Sequence, residues 1–249
     1  MNNENTAKLA VLIDADNAQA SIVEHLLAEV AKYGTAHVKR AYGDWTGTAL
    51  KGWKAQLLEH SIQPMQQFAY TTGKNATDAA MVIDAMDLLY TGRFDGFCLV
   101  SSDSDFTRLA SRIRESGLTV YGFGERKTPR AFVAACDKFI HTENLTVPAH
   151  AHPHAHAVVP AQPVAVRELD AAMAELLHSV LEAASGDDGW THLGEFGNQI
   201  RKRKPDFDPR TYGFQKLMPL LEASGQFEVV KVDPGEGNPP IAYARSLRR

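Results

Sequence analysis

Cysteine is nearly missing from this chain, with two among 249 residues. So few thiols exclude a disulfide framework and a thiolate metal site. Cys98, in an apolar run, and Cys136, in a predicted helix, read as core residues of a protein in a reducing compartment. Long apolar runs are missing too. Leu9–Ile13 is the longest near the start, too short for a signal peptide or a membrane span, and its flanks are polar rather than basic. The expected setting is the cytoplasm, with no membrane partner. Nor is there an excess of positive charge. The net charge is −4; residues 1–147 hold 15 Lys+Arg against 17 Asp+Glu, leaving 11 of the 26 cations and 13 of the 30 acids for residues 148–249. That balance argues against a surface coated in cations for gripping phosphate. An acidic pocket can hide a basic surface elsewhere, so local clustering matters more than the total.

What is present begins with alternation. Over the first 145 residues, short apolar runs at Leu9–Ile13, Ala36–Tyr42, Ile62–Phe68, Gly96–Ser101 and Thr119–Phe123 predict five strands, with a short sixth around Lys138–His141. Helical spacing of apolar residues fills the intervals near 18–32, 46–59, 76–91, 104–116 and 128–135. Repeated β-α units predict a three-layer α/β domain with a mainly parallel sheet of five or six strands. From Pro148 to Pro163 the pattern gives way to Ala, Pro, Val and alternating His150, His152, His154 and His156, a linker by composition. Without carboxylate or thiolate partners, those histidines read as linker rather than as a metal site. Beyond it, helices at 166–184, near 192–203 and near 211–224, then strands Phe227–Val232 and Ile241–Ala244 around a Gly/Pro turn, predict a small winged-helix-like domain. The expected division is 1–147, 148–165 and 166–249.

Acids gather at the predicted strand ends. The first strand runs into Asp14-Ala15-Asp16-Asn17 and the fourth into Ser101-Ser102-Asp103-Ser104-Asp105. In open parallel sheets ligands bind beyond the strand C-termini where strand order reverses, which for an order 3-2-1-4-5 lies between strands one and four. Asp14 and Asp103 are then expected to face each other. Asp78 begins the helix before the fourth strand and shares a face with Met81, Ala85 and Leu88, whereas Asp84 and Asp87 are turned away by the 100° step. Each acid alone reads more readily as a helix cap than as a ligand: Asp14 or Asn17 before Ala18, Asp78 or Thr77 on the third helix, and Ser102 with Asp105 as a capping box. Three at convergent positions are harder to explain that way. Packed carboxylates repel one another unless a cation neutralises them. Oxygen donors without His or Cys favour Mg²⁺ or Mn²⁺, and such sites serve phosphodiester hydrolysis. The expected ligands are Asp14, Asp78 and Asp103, with Asp105 as a further catalytic candidate. Lys74 is placed to meet a phosphate, and Ser101 and Ser102 to position water or the scissile group.

These motifs, Asp14-Ala15-Asp16-Asn17, Lys74-x-x-x-Asp78 with Asp84 beyond, and Ser101-Ser102-Asp103-Ser104-Asp105-Phe106, resemble those of NYN domains, in the LabA-like branch of the PIN-like nuclease superfamily. The resemblance covers about residues 7–145. It implies a PIN-like fold and a Mg²⁺ or Mn²⁺ site for RNA cleavage, with Asp14, Asp78 and Asp103 as metal-binding acids, Asp105 as a nearby acid and Asn17 as a polar partner. Asn75-Ala76-Thr77 stand between Lys74 and Asp78, a looser spacing than the motif usually has.

The stretch Pro205–Leu217, followed by the Phe227–Val232 wing, resembles the OST-HTH or LOTUS domain over about 166–245, which implies RNA binding or protein contacts. Arg201, Lys202, Arg203 and Lys204, followed by Arg210 and Lys216, form the one dense basic cluster in the sequence and suit phosphate contacts. Their plainer use is to complement a helix C-terminus. Tyr212 and Phe214 offer faces for base stacking, though their spacing assigns one of them to the core. The expected partner is RNA, with DNA as the other phosphodiester polymer, and a first domain this poor in basic surface calls for the second domain or a homodimer to hold it. Two other classes compete. One is a non-catalytic RNA-binding adaptor. The other is a haloacid-dehalogenase-like phosphatase, which the Asp-x-Asp strand end suggests but Ala18 and the spacing of the later acid pair fit poorly.

Overall fold

The computed structural model describes residues 6–68, 76–145, 169–186, 188–235 and 240–248. The chain divides into two compact units, 1–146 and 147–249. In the first, strands β1 (Lys8–Asp14), β2 (Thr35–Gly43), β3 (Gln63–Gln66), β4 (Gly96–Val100), β5 (Thr119–Gly124) and β6 (Lys138–His141) form one sheet. Its order is β3-β2-β1-β4-β5-β6, and every pairing is parallel. The short sixth strand is present at the edge.

Burial on both faces explains why Leu9–Ile13 of β1 and the whole of β4 are apolar rather than alternating with polar residues. Leu9, Val11 and Ile13, with Cys98 and Val100, pack with Val23, Leu26 and Val30 of α1 (Val23–Val30) and Trp53 of α2 (Trp53–Glu59). Ala10, Leu12, Phe97 and Leu99 face the other way. They meet Met81, Ala85 and Leu88 of α3 (Ala76–Tyr90), Leu109 and Ile113 of α4 (Thr107–Glu115) and Phe132 of α5 (Arg130–Ala135). Two cores on opposite sides of one sheet make the three layers. By the same two-residue period, Asp14 follows Leu12 onto the α3 face.

Several helices are shorter than their periodicity predicts. The 18–32 stretch enters through a 3₁₀ turn at Ala20–Ile22, and only Trp53–Glu59 of 46–59 is α-helical. The fourth helix likewise opens with a 3₁₀ turn, Ser104–Phe106. Cys136 lies just past α5 as its C-cap, buried like Cys98, and both thiols are free. Burial raises both thiol pKa values, that of Cys136 to about 12, so neither is a ready nucleophile.

In the second unit α6 (Ala171–Ala184) is capped by Asp170, whose carboxylate accepts the Met173 N–H at 2.8 Å. Helices α7 (Leu193–Arg203) and α8 (Leu217–Ser224) pack with it around Leu177, Leu181, Phe196, Ile200, Leu221 and Phe227. A three-stranded antiparallel sheet in the order β7-β9-β8 completes the unit, from β7 (Thr191–His192), β8 (Phe227–Val232) and β9 (Ile241–Ser246). The predicted helix over 211–224 is two elements. Gly213, at φ 88°, ends a 3₁₀ turn at Pro209–Tyr212 before α8 begins, a left-handed conformation that glycine adopts without strain. The two-residue strand β7 was too short to register as a period. The histidine run lies outside the described residues. Among the described residues no helix is long and apolar enough to cross a membrane.

Candidate active site

Strand order reverses between β1 and β4, and the first and third acidic motifs emerge there side by side. Asp14 ends β1 with 1% of its surface exposed. Its Oδ2 accepts hydrogen bonds from Asn17 Nδ2 at 2.7 Å and from Ser101 Oγ at 2.8 Å, and its Oδ1 accepts the Asn17 N–H at 3.3 Å. Ser101, also buried, accepts the Asp103 N–H on the same Oγ at 3.0 Å. One hydroxyl therefore links the acid ending β1 to the backbone of the acid following β4.

Asp103 Oδ1 accepts the Asp105 N–H at 2.9 Å and so caps the 3₁₀ turn that starts α4. The cap is thus Asp103 rather than the predicted Ser102 and Asp105 box, and Ser102 Oγ instead accepts the Glu125 N–H at 2.8 Å. Asp78 comes from the first turn of α3. One carboxylate oxygen from each of Asp78, Asp103 and Asp105 lies within 4.8 Å of the other two. Asp14 lies outside that trio but acts on it electrostatically.

Burial first, then the charges of Asp14, Asp103, Asp105 and Asp16, raise the Asp78 pKa to about 6. Burial likewise raises Asp14, against its hydrogen bonds from Ser101 and Asn17. Among the described residues no cation forms an ion pair with Asp14, Asp78 or Asp103. Carboxylates that crowd one another in this way, all of them hard oxygen donors, fit a divalent ion such as Mg²⁺ or Mn²⁺. Lys74 lies outside the described residues.

Asp16 and Asp84 have other partners. Thr77 Oγ1 donates to Asp16 Oδ2 at 3.0 Å, joining the first motif to the start of α3. Asp84 is not turned to solvent. It accepts hydrogen bonds from Arg40 Nη1 and the Tyr42 hydroxyl between α3 and β2. Burial and then Asp84 raise the Tyr42 hydroxyl, so Tyr42 stays a neutral donor. Arg40 Nε is buried with no hydrogen-bond partner among the described residues. The alternation Val38-Arg40-Tyr42, two polar side chains aimed at a covered face, was the signal for this network.

In the second unit Arg201, Lys202 and Arg203 are exposed on the last turn of α7. Lys204 pairs with Asp206 at 3.1 Å. Arg210 turns its guanidinium onto Asp208, which is buried, through several hydrogen bonds. Tyr212 belongs to the core and Phe214 packs against it.

The family comparison agrees with the topology. The chain matches the NYN domain family over residues 8–144 and belongs to it; the fold is the PIN-like three-layer one. An OST-HTH/LOTUS domain follows over residues 166–239. Together these support a ribonuclease-like or RNA-binding role. Among solved structures, a Vibrio parahaemolyticus protein of unknown function is 19% identical with a TM-score of 0.48, over 56% of this chain and 94% of its own. An uncharacterized Nitrosomonas europaea protein, solved by NMR, is 29% identical with a TM-score of 0.30, over 42% of this chain and 94% of its own. No curated protein matches the chain.

Proposed function

We propose that the chain is a Mg²⁺- or Mn²⁺-dependent ribonuclease that hydrolyses RNA phosphodiester bonds at the β1–β4 crevice. The observation that carries this reading is the convergence of Asp78, Asp103 and Asp105 within 4.8 Å of one another. Asp14, Asp78 and Asp103 would hold the ion with Asp105 beside them. Bound there, the ion would offset charge on the scissile phosphate and activate water for attack. Ser101 fixes Asp14 and Asp103 relative to each other, Asn17 fixes Asp14 from the other side, and Ser102 holds the loop after β5. Lys74 is assigned to the substrate phosphate by its sequence position.

In this reading residues 1–147 form the nuclease domain, 148–165 a linker and 166–249 a module that holds RNA or a protein partner, with Arg201, Lys202, Arg203 and Lys204 on the RNA. A cytoplasmic setting and a homodimer that widens the RNA surface go with it. The cap made by Asp103 favours a second reading, in which the acids serve structure and the chain binds RNA without cutting it.

Purified full-length protein with Mn²⁺ is expected to cut single-stranded or structured RNA, and Asp14→Asn/Asp103→Asn to lose at least about a hundredfold in rate. Intact RNA that is nevertheless bound would select the adaptor. Equal cleavage by the double variant would overturn the site assignment.

A further inference from the structure

At the opposite end of the sheet from the acids, a cavity of about 570 Å³ lies between the first residues of β1 and β2 and the turn that leads from α3 into β4. Lys8 stands six residues before Asp14 along β1, a separation of about 20 Å at the rise of a strand. The cavity is therefore distinct from the acid site. Its floor is Val38 and Phe94, which pack in the core on the α3 side. Its rim is Lys8, His37, Arg93 and Asp95, all exposed.

The backbone around the rim is irregular where it matters. Leu9 lies opposite Ala36 and Ala10 opposite Val38, so His37 is an extra residue in the β1–β2 pairing. Such bulges re-aim side chains and are rare between parallel strands. In a regular strand His37 and Val38 would point to opposite faces; here both line one cavity. His37 Nδ1 lies 3.1 Å from the Thr35 carbonyl, which only accepts, so Nδ1 donates and Nε2 is the ring nitrogen left to a ligand. Across the cavity Gly92, at φ 64°, turns the chain out of α3 and presents Arg93. Asp95 is held by Lys8 in both directions: its Oδ2 accepts the Lys8 N–H at 2.6 Å, and its own N–H donates to the Lys8 carbonyl at 2.8 Å.

Among the described residues neither Lys8 nor Arg93 forms an ion pair. Asp95 is the one acid in the lining, and a backbone N–H already occupies one of its oxygens. Three basic side chains around a single carboxylate favour an anion. A phosphate group suits them best, because its several acceptor oxygens can meet an ammonium, a guanidinium fork and an imidazole at once. Phosphate alone would leave most of the space empty. The volume is that of a site for an organic ligand, and the apolar floor gives the rest of such a ligand a surface to cover.

We propose that this cavity binds a free organic phosphate of mononucleotide size, its phosphate on Lys8, His37 and Arg93 and its organic body on Val38 and Phe94. The proposal does not depend on the nuclease reading. NMR of the full chain in EDTA would follow the His37 ring and the Arg93 Nε–H while AMP, adenosine or inorganic phosphate is added. AMP is expected to shift both signals and to bind at least about tenfold more tightly than adenosine or phosphate. Lys8→Gln/Arg93→Gln should weaken AMP binding about tenfold or more. Lys51→Gln/Lys54→Gln, which removes two exposed lysines outside the cavity, should change it by less than about twofold. Unmoved signals, adenosine or phosphate bound as tightly as AMP, or equal losses in the two double variants would overturn the proposal. So would a single-stranded oligonucleotide that moves the signals when AMP does not, since the cavity would then be a contact for an RNA strand.

Discussion

Replacing Asp78 with Asn is expected to stabilise the metal-free protein while removing one of the proposed metal ligands. Asp78 titrates at about 6 in the fold against 3.8 in a free chain, a shift that would correspond to about 3 kcal/mol if the site were dry. Asp78 is only half-buried, and solvent screening reduces that to about 1.5 kcal/mol. The carboxylate also favours the N-terminus of α3, and losing that interaction takes back about 0.5 kcal/mol. The net gain is about 1 kcal/mol, or about 2–4 °C in Tm for a unit of this size.

The sign follows from the direction of the shift. A carboxyl whose folded pKa is raised destabilises the fold when ionised, so its penalty is complete above about 6 and vanishes below 3.8. Calorimetry in EDTA at about pH 7.5 should show Asp78→Asn melting above the parent, and the gap should close by about pH 4. Saturating Mn²⁺ should reverse the order, because the ion stabilises the parent by mass action. A variant that melts at or below the parent in EDTA at neutral pH, or whose advantage persists unchanged in acid, would refute this electrostatic account of the cluster.

Four further outcomes follow from other contacts. Asp84→Asn leaves the partly buried Arg40 without its counter-charge and should lower unfolding free energy by about 2 kcal/mol in urea titrations. Ser101→Ala removes the hydroxyl shared by Asp14 and Asp103, and isothermal titration should find Mn²⁺ affinity reduced about tenfold with the fold retained. Gly124→Ala sets a Cβ 2.5 Å from the Ser101 carbonyl and 2.7 Å from Thr128 Oγ1, so circular dichroism should record a loss of about 1–3 kcal/mol. Changing Arg201, Lys202 and Arg203 together to Gln should lower the slope of log affinity against log salt for single-stranded RNA by about 2, measured by fluorescence anisotropy.

Much of this was legible in the residue order. Leu9–Ile13 and Gly96–Ser101 read as central strands because each is covered on both faces, and a run of apolar residues is what double burial selects. The acids at their ends followed from the topology, as did the preference for Asp78, which Met81, Ala85 and Leu88 carry onto the buried side of α3. Other features depend on three-dimensional neighbours that no local period encodes. Asp105 gave the pattern of a cap, yet its side chain joins Asp78 and Asp103 while Asp103 makes the cap. The contact of Asp84 with Arg40 and Tyr42 spans more than forty positions. The placement of the loop after β5 depends on its folding back on Ser102, a tertiary bond to one hydroxyl.

The hydrogen bond from Ser101 to Asp14 joins residues 87 positions apart. In an unfolded chain the carboxylates it gathers are far from one another and do not repel. Repulsion arises once β1, α3 and β4 are packed together, and a cation held there would relieve it only in that packed state. If that pairing forms after the folding transition state, an ion bound there would leave the rate of folding nearly untouched and slow unfolding instead. A site of that kind would act as a latch on a finished sheet, setting how long the native state persists rather than how quickly it forms.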